Sequence, residues 1–249
     1  MAIKKLEKHQ KRILYVVLGA IIVIGVSLIF NVSYTIPYDQ NTIKKLKWSG
    51  ENVLVITPRF TESAYGNNGF YDYYGKTCGM DCLTVPIQDG MPDRWGSYNL
   101  HTIRILAGLG YPIMDDLNVH KQLLINPDYL KKYDTIILLH SEYATKELFQ
   151  AITHHDKVIY LAPNALYAEV YYDAKENTIS LVKGHGYPEP KILNGFNWKF
   201  DNSPEEYDLD CNLWKFRKID NGYQLNCVQE VISQTHPNIL LKMKELIDQ

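Results

Sequence analysis

Thr135-Ile136-Ile137-Leu138-Leu139 is followed at once by His140-Ser141-Glu142-Tyr143. Five consecutive apolar or β-branched residues with no polar alternation describe a strand covered on both faces, as in the parallel sheets of α/β proteins. Working outward, Val53–Thr57 (VLVIT) and Val158–Leu161 (VIYL) read the same way, and Ile113–Asp115 and Thr178–Val182 read as further short strands. Between them the apolar stripe Leu100, Ile103, Ile105, Leu106 and Leu109 stops at Gly110 with Pro112 beyond, which predicts a helix and its end. A second helix is expected over 144–152 and a terminal amphipathic one over 238–247. Strand, helix, strand, helix, strand predicts an α/β fold whose sheet is mostly parallel, with flanking helices.

N-terminal to this region, Ile13–Phe30 (ILYVVLGAIIVIGVSLIF) carries no charge. Its 18 residues would span roughly 27 Å as a helix, enough to cross a bilayer. Lys4, Lys5, Lys8, Lys11 and Arg12 against Glu7 give the first twelve residues a charge of +4, leaving −6 for the rest of a chain whose net charge is −2. By the positive-inside rule this predicts a cytoplasmic tail (1–12), a transmembrane helix (13–31), a juxtamembrane stalk (32–50) and an extracytoplasmic α/β domain with a C-terminal extension (51–249). The expected location is therefore the cell membrane, single-pass, with the lipid bilayer contacted through 13–31. A cleavable signal peptide is the competing reading, disfavoured by the length of the run and the lack of an Ala-x-Ala-like site. The acidic remainder argues against nucleic acid as a partner. The four cysteines, Cys78, Cys82, Cys211 and Cys227, are expected to form two disulfides. Three pairings are open, and Cys78–Cys82 with Cys211–Cys227 is the simplest.

In open α/β sheets ligands bind beyond the carboxyl ends of the strands. Four segments fall there: the loop 61–75 (TESAYGNNGFYDYYG), His140–Tyr143, Ala162–Ala165 and Lys183–Pro188. Tyr65, His140, Glu142, Asn164 and His185 are thereby expected to converge on one crevice. His140-x-Glu142 carries the most chemistry, because two residues leaving a strand two apart face the same side and can share a proton or a metal. The bland alternative is a strand-end His followed by a helix-start carboxylate. Glu169, in the apolar stretch LYAEVYY, reads as a candidate buried acid. No G-x-S-x-G elbow, phosphate-binding loop, dinucleotide fingerprint or H-E-x-x-H motif occurs.

Ala64-Tyr65-Gly66, Leu139-His140-Ser141-Glu142-Tyr143 and Pro163-Asn164-Ala165 together resemble the C-terminal domain of the N,N-dimethylformamidase large subunit, with its Ala-Tyr-Asn-like loop, Gly-His-x-Glu-Tyr strand end and Gly-Asn turn. The stretch GHGYPEPKILNGFNW is similar to membrane-anchored archaeal ectodomains of this kind. The resemblance implies a class I glutamine-amidotransferase-like fold and amide hydrolysis at a mononuclear iron held by two tyrosines and a glutamate. Carried over, Glu142, Tyr65 and a second tyrosine, best placed at Tyr98, would be the metal ligands, with His140 and Asn164 as catalytic neighbours. The alternative is a non-catalytic ligand-binding domain or an accessory subunit of a membrane protein complex.

Overall fold

The computed structural model describes residues 36–88, 97–201, 215–226 and 236–249, backbone only for 97–99. Residues 38–249 belong to a single compact unit. The anticipated strands Val53–Thr57 (β1), Ile113–Asp115 (β3), Thr135–Leu138 (β4) and Val158–Tyr160 (β6) are present and all parallel, in the order β3-β1-β4-β6. Every residue of β1, β4 and β6 is buried, as continuous apolar runs require when helices cover both faces. The helices that connect them include Arg59–Ala64 (α2) and Phe70–Tyr74 (α3) after β1, Ser97–Gly108 (α4) before β3, Asp116–Ile125 (α5) after it, and Lys146–Thr153 (α6) before β6. Asp115 caps α5 by accepting from the Asn118 amide at 2.7 Å, and Thr145 caps α6 at the Leu148 amide.

Two features of the expected fold are corrected. The sheet is not single: a second, four-stranded sheet runs in the order β2-β8-β7-β5, from Thr84–Pro86, Thr178–Lys183, Ala168–Asp173 and Tyr143–Ala144, and is mixed in direction. Thr178–Val182 thus joins an antiparallel hairpin and not the parallel sheet. The parallel sheet is extended instead by Gly222–Leu225 (β10), parallel to β6, and by Phe216–Ile219 (β9), antiparallel to β10. The physical reason lies in β7, whose residues alternate between buried and more exposed, the signature of a strand with only one covered face.

The second correction concerns the transmembrane helix. Among the described residues no helix is long and apolar enough to cross a membrane, and residues 13–31, with the basic tail before them, lie outside the described set. Within the stretch read as a stalk, Asp39 caps a short helix, Gln40–Leu46 (α1), by accepting from the Asn41 and Thr42 amides. Leu46 is fully buried, its carbonyl accepts the Tyr111 hydroxyl at 3.1 Å, and α1 packs on the terminal helix Pro237–Ile247 (α7). Cys78 and Cys82 form a disulfide with their Cα atoms 6.1 Å apart. Cys211 and Cys227 lie outside the described residues.

Candidate functional site

Because β4 lies between β1 and β6, the segments leaving all three strands meet above its end. The chain turns tightly there, with the Ser141 amide donating to the Leu139 carbonyl. It is then clamped on both sides. Tyr143 donates its amide to Thr61 Oγ1 on α2. The Glu142 carbonyl accepts the amides of Tyr167 and Ala168, at 2.8 and 3.0 Å. These bonds fix the backbone of Glu142, whose side chain is wholly buried.

A buried carboxylate is tolerated only when its oxygens are satisfied. Three side chains bond to it here and a fourth stands close by. The Tyr65 hydroxyl donates to Oε2 in a very short contact, and the Tyr71 hydroxyl lies 3.2 and 3.3 Å from the two oxygens. His185 Nε2 closes on Oε1, and His140 Nε2 stands 3.9 Å from Oε2. The two phenol oxygens are 3.4 Å apart, so Tyr65, Tyr71 and Glu142 bring their oxygens to one point.

Each partner arrives for a local reason. Tyr65 ends α2, which the first parallel strand launches. Tyr71 projects from the first turn of α3, which begins after Gly69; a Cβ there would lie 2.3 Å from the Ala64 carbonyl oxygen, so only glycine permits this close return of the chain. His185 adopts φ +52°, flanked by Gly184 at +126° and Gly186 at +79°. Three successive left-handed residues turn the imidazole inward. Its ring stacks near the rings of Tyr74 and Tyr143, with centroids at 4.8 and 5.7 Å, and meets Tyr167 edge-on.

The electrostatics follow from this enclosure. Burial pushes the Glu142 carboxyl upward, but the charge and hydrogen bond of His185, then His140 and Tyr65, outweigh it and hold Glu142 below its ordinary value. Burial, and then the Glu142 charge, push the Tyr65 phenol well above its usual range. Tyr143 is raised for the same two reasons. The site is thus an ionised carboxylate held by protonated phenol donors.

Of the residues expected at the site, Tyr65, His140 and Glu142 come together, and His185 joins them in direct contact. Tyr98 lies in the first turn of α4 and its side chain is outside the described set; the second phenol at Glu142 is that of Tyr71. In the sequence Tyr71 is one of four tyrosines in the loop 61–75, with nothing to single it out. Asn164 is fully buried beyond β6, and neither atom of its amide has a hydrogen-bond partner among the described residues. Among those residues no group of three or more His, Cys, Asp and Glu side chains is arranged to hold a metal. A cation at Glu142 would therefore depend on tyrosine oxygens. Two phenolates and a carboxylate are hard, anionic donors that fit a hard cation such as ferric iron, provided both phenols release their protons.

No family model matches the sequence, and no curated protein matches it.

Proposed function

We propose that the chain is a metal-dependent hydrolase of small amides, with Tyr65, Tyr71 and Glu142 as the metal-binding set. The observation that carries this reading is the convergence of those three side-chain oxygens on one partly buried point at the carboxyl end of the central strand. The resemblance to N,N-dimethylformamidase supports it, with Tyr71 in the role first given to Tyr98. A cation held there would supply Lewis acidity toward an amide carbonyl and a water. The chain's own residues provide the rest. His140 is close enough to the cluster to take a proton from water as it adds to the carbonyl carbon, and that proton then goes to the leaving nitrogen as the C–N bond breaks. By the same resemblance Asn164, whose buried amide has no partner among the described residues, would orient the substrate.

A second reading has its own observation. The contacts of His185 and Tyr65 already satisfy both Glu142 oxygens, as in a closed structural cluster of a non-catalytic binding domain or accessory subunit. Purified full-length protein separates the two. The hydrolase reading expects about one iron per chain, release of amine from N,N-dimethylformamide and related small amides, and loss of both in Glu142→Gln and Tyr65→Phe. Wild-type protein that takes up no metal, or variants that both keep it in full, would favour the closed cluster.

A further inference from the structure

The most conspicuous chemistry outside the Glu142 cluster is Glu62. It sits on α2, at the wall of a cleft of about 640 Å³ where β1 and the edge strand β3 end. Arg59, Ile103, Ile113, Met114 and Asp115 form the surrounding wall. The Glu62 side chain is only 9 % exposed, and its Oε1 is sealed from solvent with no hydrogen-bond partner among the described residues. A buried carboxyl oxygen without a donor is rare in folded proteins, and because the Glu62 side chain lines the cleft, the cleft is the side from which a donor could approach the carboxyl. The ends of parallel strands are also where α/β sheets receive ligands.

The neighbours define what that donor can be. Three acids, Glu62, Asp115 and Asp116, interact electrostatically with one another around this point, against Arg59. The oxygens of Asp115 are already engaged by the Asn118 amide and side chain at 2.7 and 2.8 Å. Those of Asp116 face the Phe60 amide at 3.1 and 3.4 Å. An anion would meet the acid surplus. Among the described residues no three acidic, His or Cys side chains are arranged to hold an inorganic cation, and Thr57, Asn118 and Gln122 line the cleft beside the apolar Ile103, Ile113 and Met114. A positively charged N–H donor on a short alkyl body suits both the Glu62 carboxyl and the Ile103, Ile113 and Met114 surface.

We propose that this cleft binds a small primary alkylammonium ion, anchored by Glu62. The site is separate from the Glu142 cluster and does not depend on the hydrolase reading. Burial, opposed by Arg59 and reinforced by Asp115, pushes the Glu62 carboxyl up to about 7, so an ammonium would be the partner that keeps it ionised.

Calorimetric titration of the full chain at about pH 8 with n-butylammonium chloride, alongside n-butanol and sodium butyrate, tests the assignment. Single-site binding of butylammonium is expected, with the alcohol and the carboxylate at least about tenfold weaker, as for loss of a charge-assisted hydrogen bond. Glu62→Gln should weaken butylammonium by at least about tenfold. Gln122→Trp, which fills the cleft from its rim without touching the buried carboxyl, should do the same and serves as the deciding variant if Glu62→Gln does not fold. The proposal is overturned by absence of butylammonium binding, by equal or tighter binding of butanol or butyrate, or by full affinity in a folded Glu62→Gln or in Gln122→Trp.

Discussion

Replacing Glu62 by Gln should change how stability depends on pH, and the size of the change follows from burial. The carboxyl sits at about 7 in the folded protein, against an ordinary 4.5, because it is cut off from water; Arg59 lowers it and Asp115 raises it. The folded state then binds more protons than the unfolded chain between those values. By linkage, stability is fully present below 4.5 and is lost as pH rises through 7. Between about pH 5 and about pH 8 a single group shifted this far removes about 2.5 kcal/mol. Glutamine keeps the shape and cannot ionise, so the variant should lack this loss. Glu142, held below its ordinary value, acts in the opposite sense and mainly at lower pH, where stability falls as it is protonated. Its influence largely cancels when wild type and variant are compared over the same window. Urea denaturation of both proteins at about pH 5 and about pH 8, disulfide intact, gives the difference directly. Relative to wild type, Glu62→Gln should gain about 2–3 kcal/mol on moving to the higher pH. Parallel pH dependences in the two proteins would refute the claim that this carboxyl is buried and raised.

At the Glu142 cluster, Tyr65→Phe should cost about 1–3 kcal/mol in chemical denaturation, because it strips a donor from a buried charge, whereas Tyr71→Phe, with a hydroxyl over 3 Å away and a partly exposed ring, should cost under about 1 kcal/mol. Equal losses would mean the two phenols share Glu142 evenly. Gly222→Ala should be severely destabilising, above about 3 kcal/mol, since a Cβ there would lie 1.9 Å from the Val158 carbonyl oxygen and φ is +146°; a melting temperature near that of wild type would show that the β10–β6 pairing is not as close as described. Replacing Cys78 and Cys82 together by Ser should lower stability by about 2 kcal/mol, the chain-entropy contribution of so short a loop. Equilibrium unfolding checks it, and no change would place the stabilisation of the loop in its packing alone.

What the sequence disclosed and what it hid differ in physical kind. The central strands were legible because a strand covered on both faces needs an unbroken apolar run, and VLVIT, TIILL and VIYL have one. The second sheet was not, because a half-covered strand reads only through alternation, and in AEVYYD the tyrosine on the exposed face is as apolar in outline as its buried neighbours. Glu169 suffered from the same ambiguity: it reads as a buried acid within LYAEVYY but is half-buried beside a register shift between β7 and β8. The hairpin of β9 and β10 carries too few apolar residues to register as part of a central sheet, and its turn depends on one glycine at Asn221-Gly222.

The site divides along a similar line. Residues that leave strand ends in fixed register, His140 and Glu142 above all, are placed by topology, and topology is what short apolar runs encode. His185 stands between two glycines, a pattern that also fits an ordinary turn, and in the fold those glycines take two of the three left-handed positions that turn the imidazole inward. Tyr71 left no such mark. Its hydroxyl meets a carboxylate 71 positions away along the chain, and it gets there because Gly69 lets the backbone fold onto Ala64 before α3 begins. In a loop holding Tyr65, Tyr71, Tyr73 and Tyr74, composition announces aromatic density and nothing more. Which ring reaches the carboxylate is decided by a close approach of two backbone segments, a tertiary event that glycine permits at many sites and requires at few.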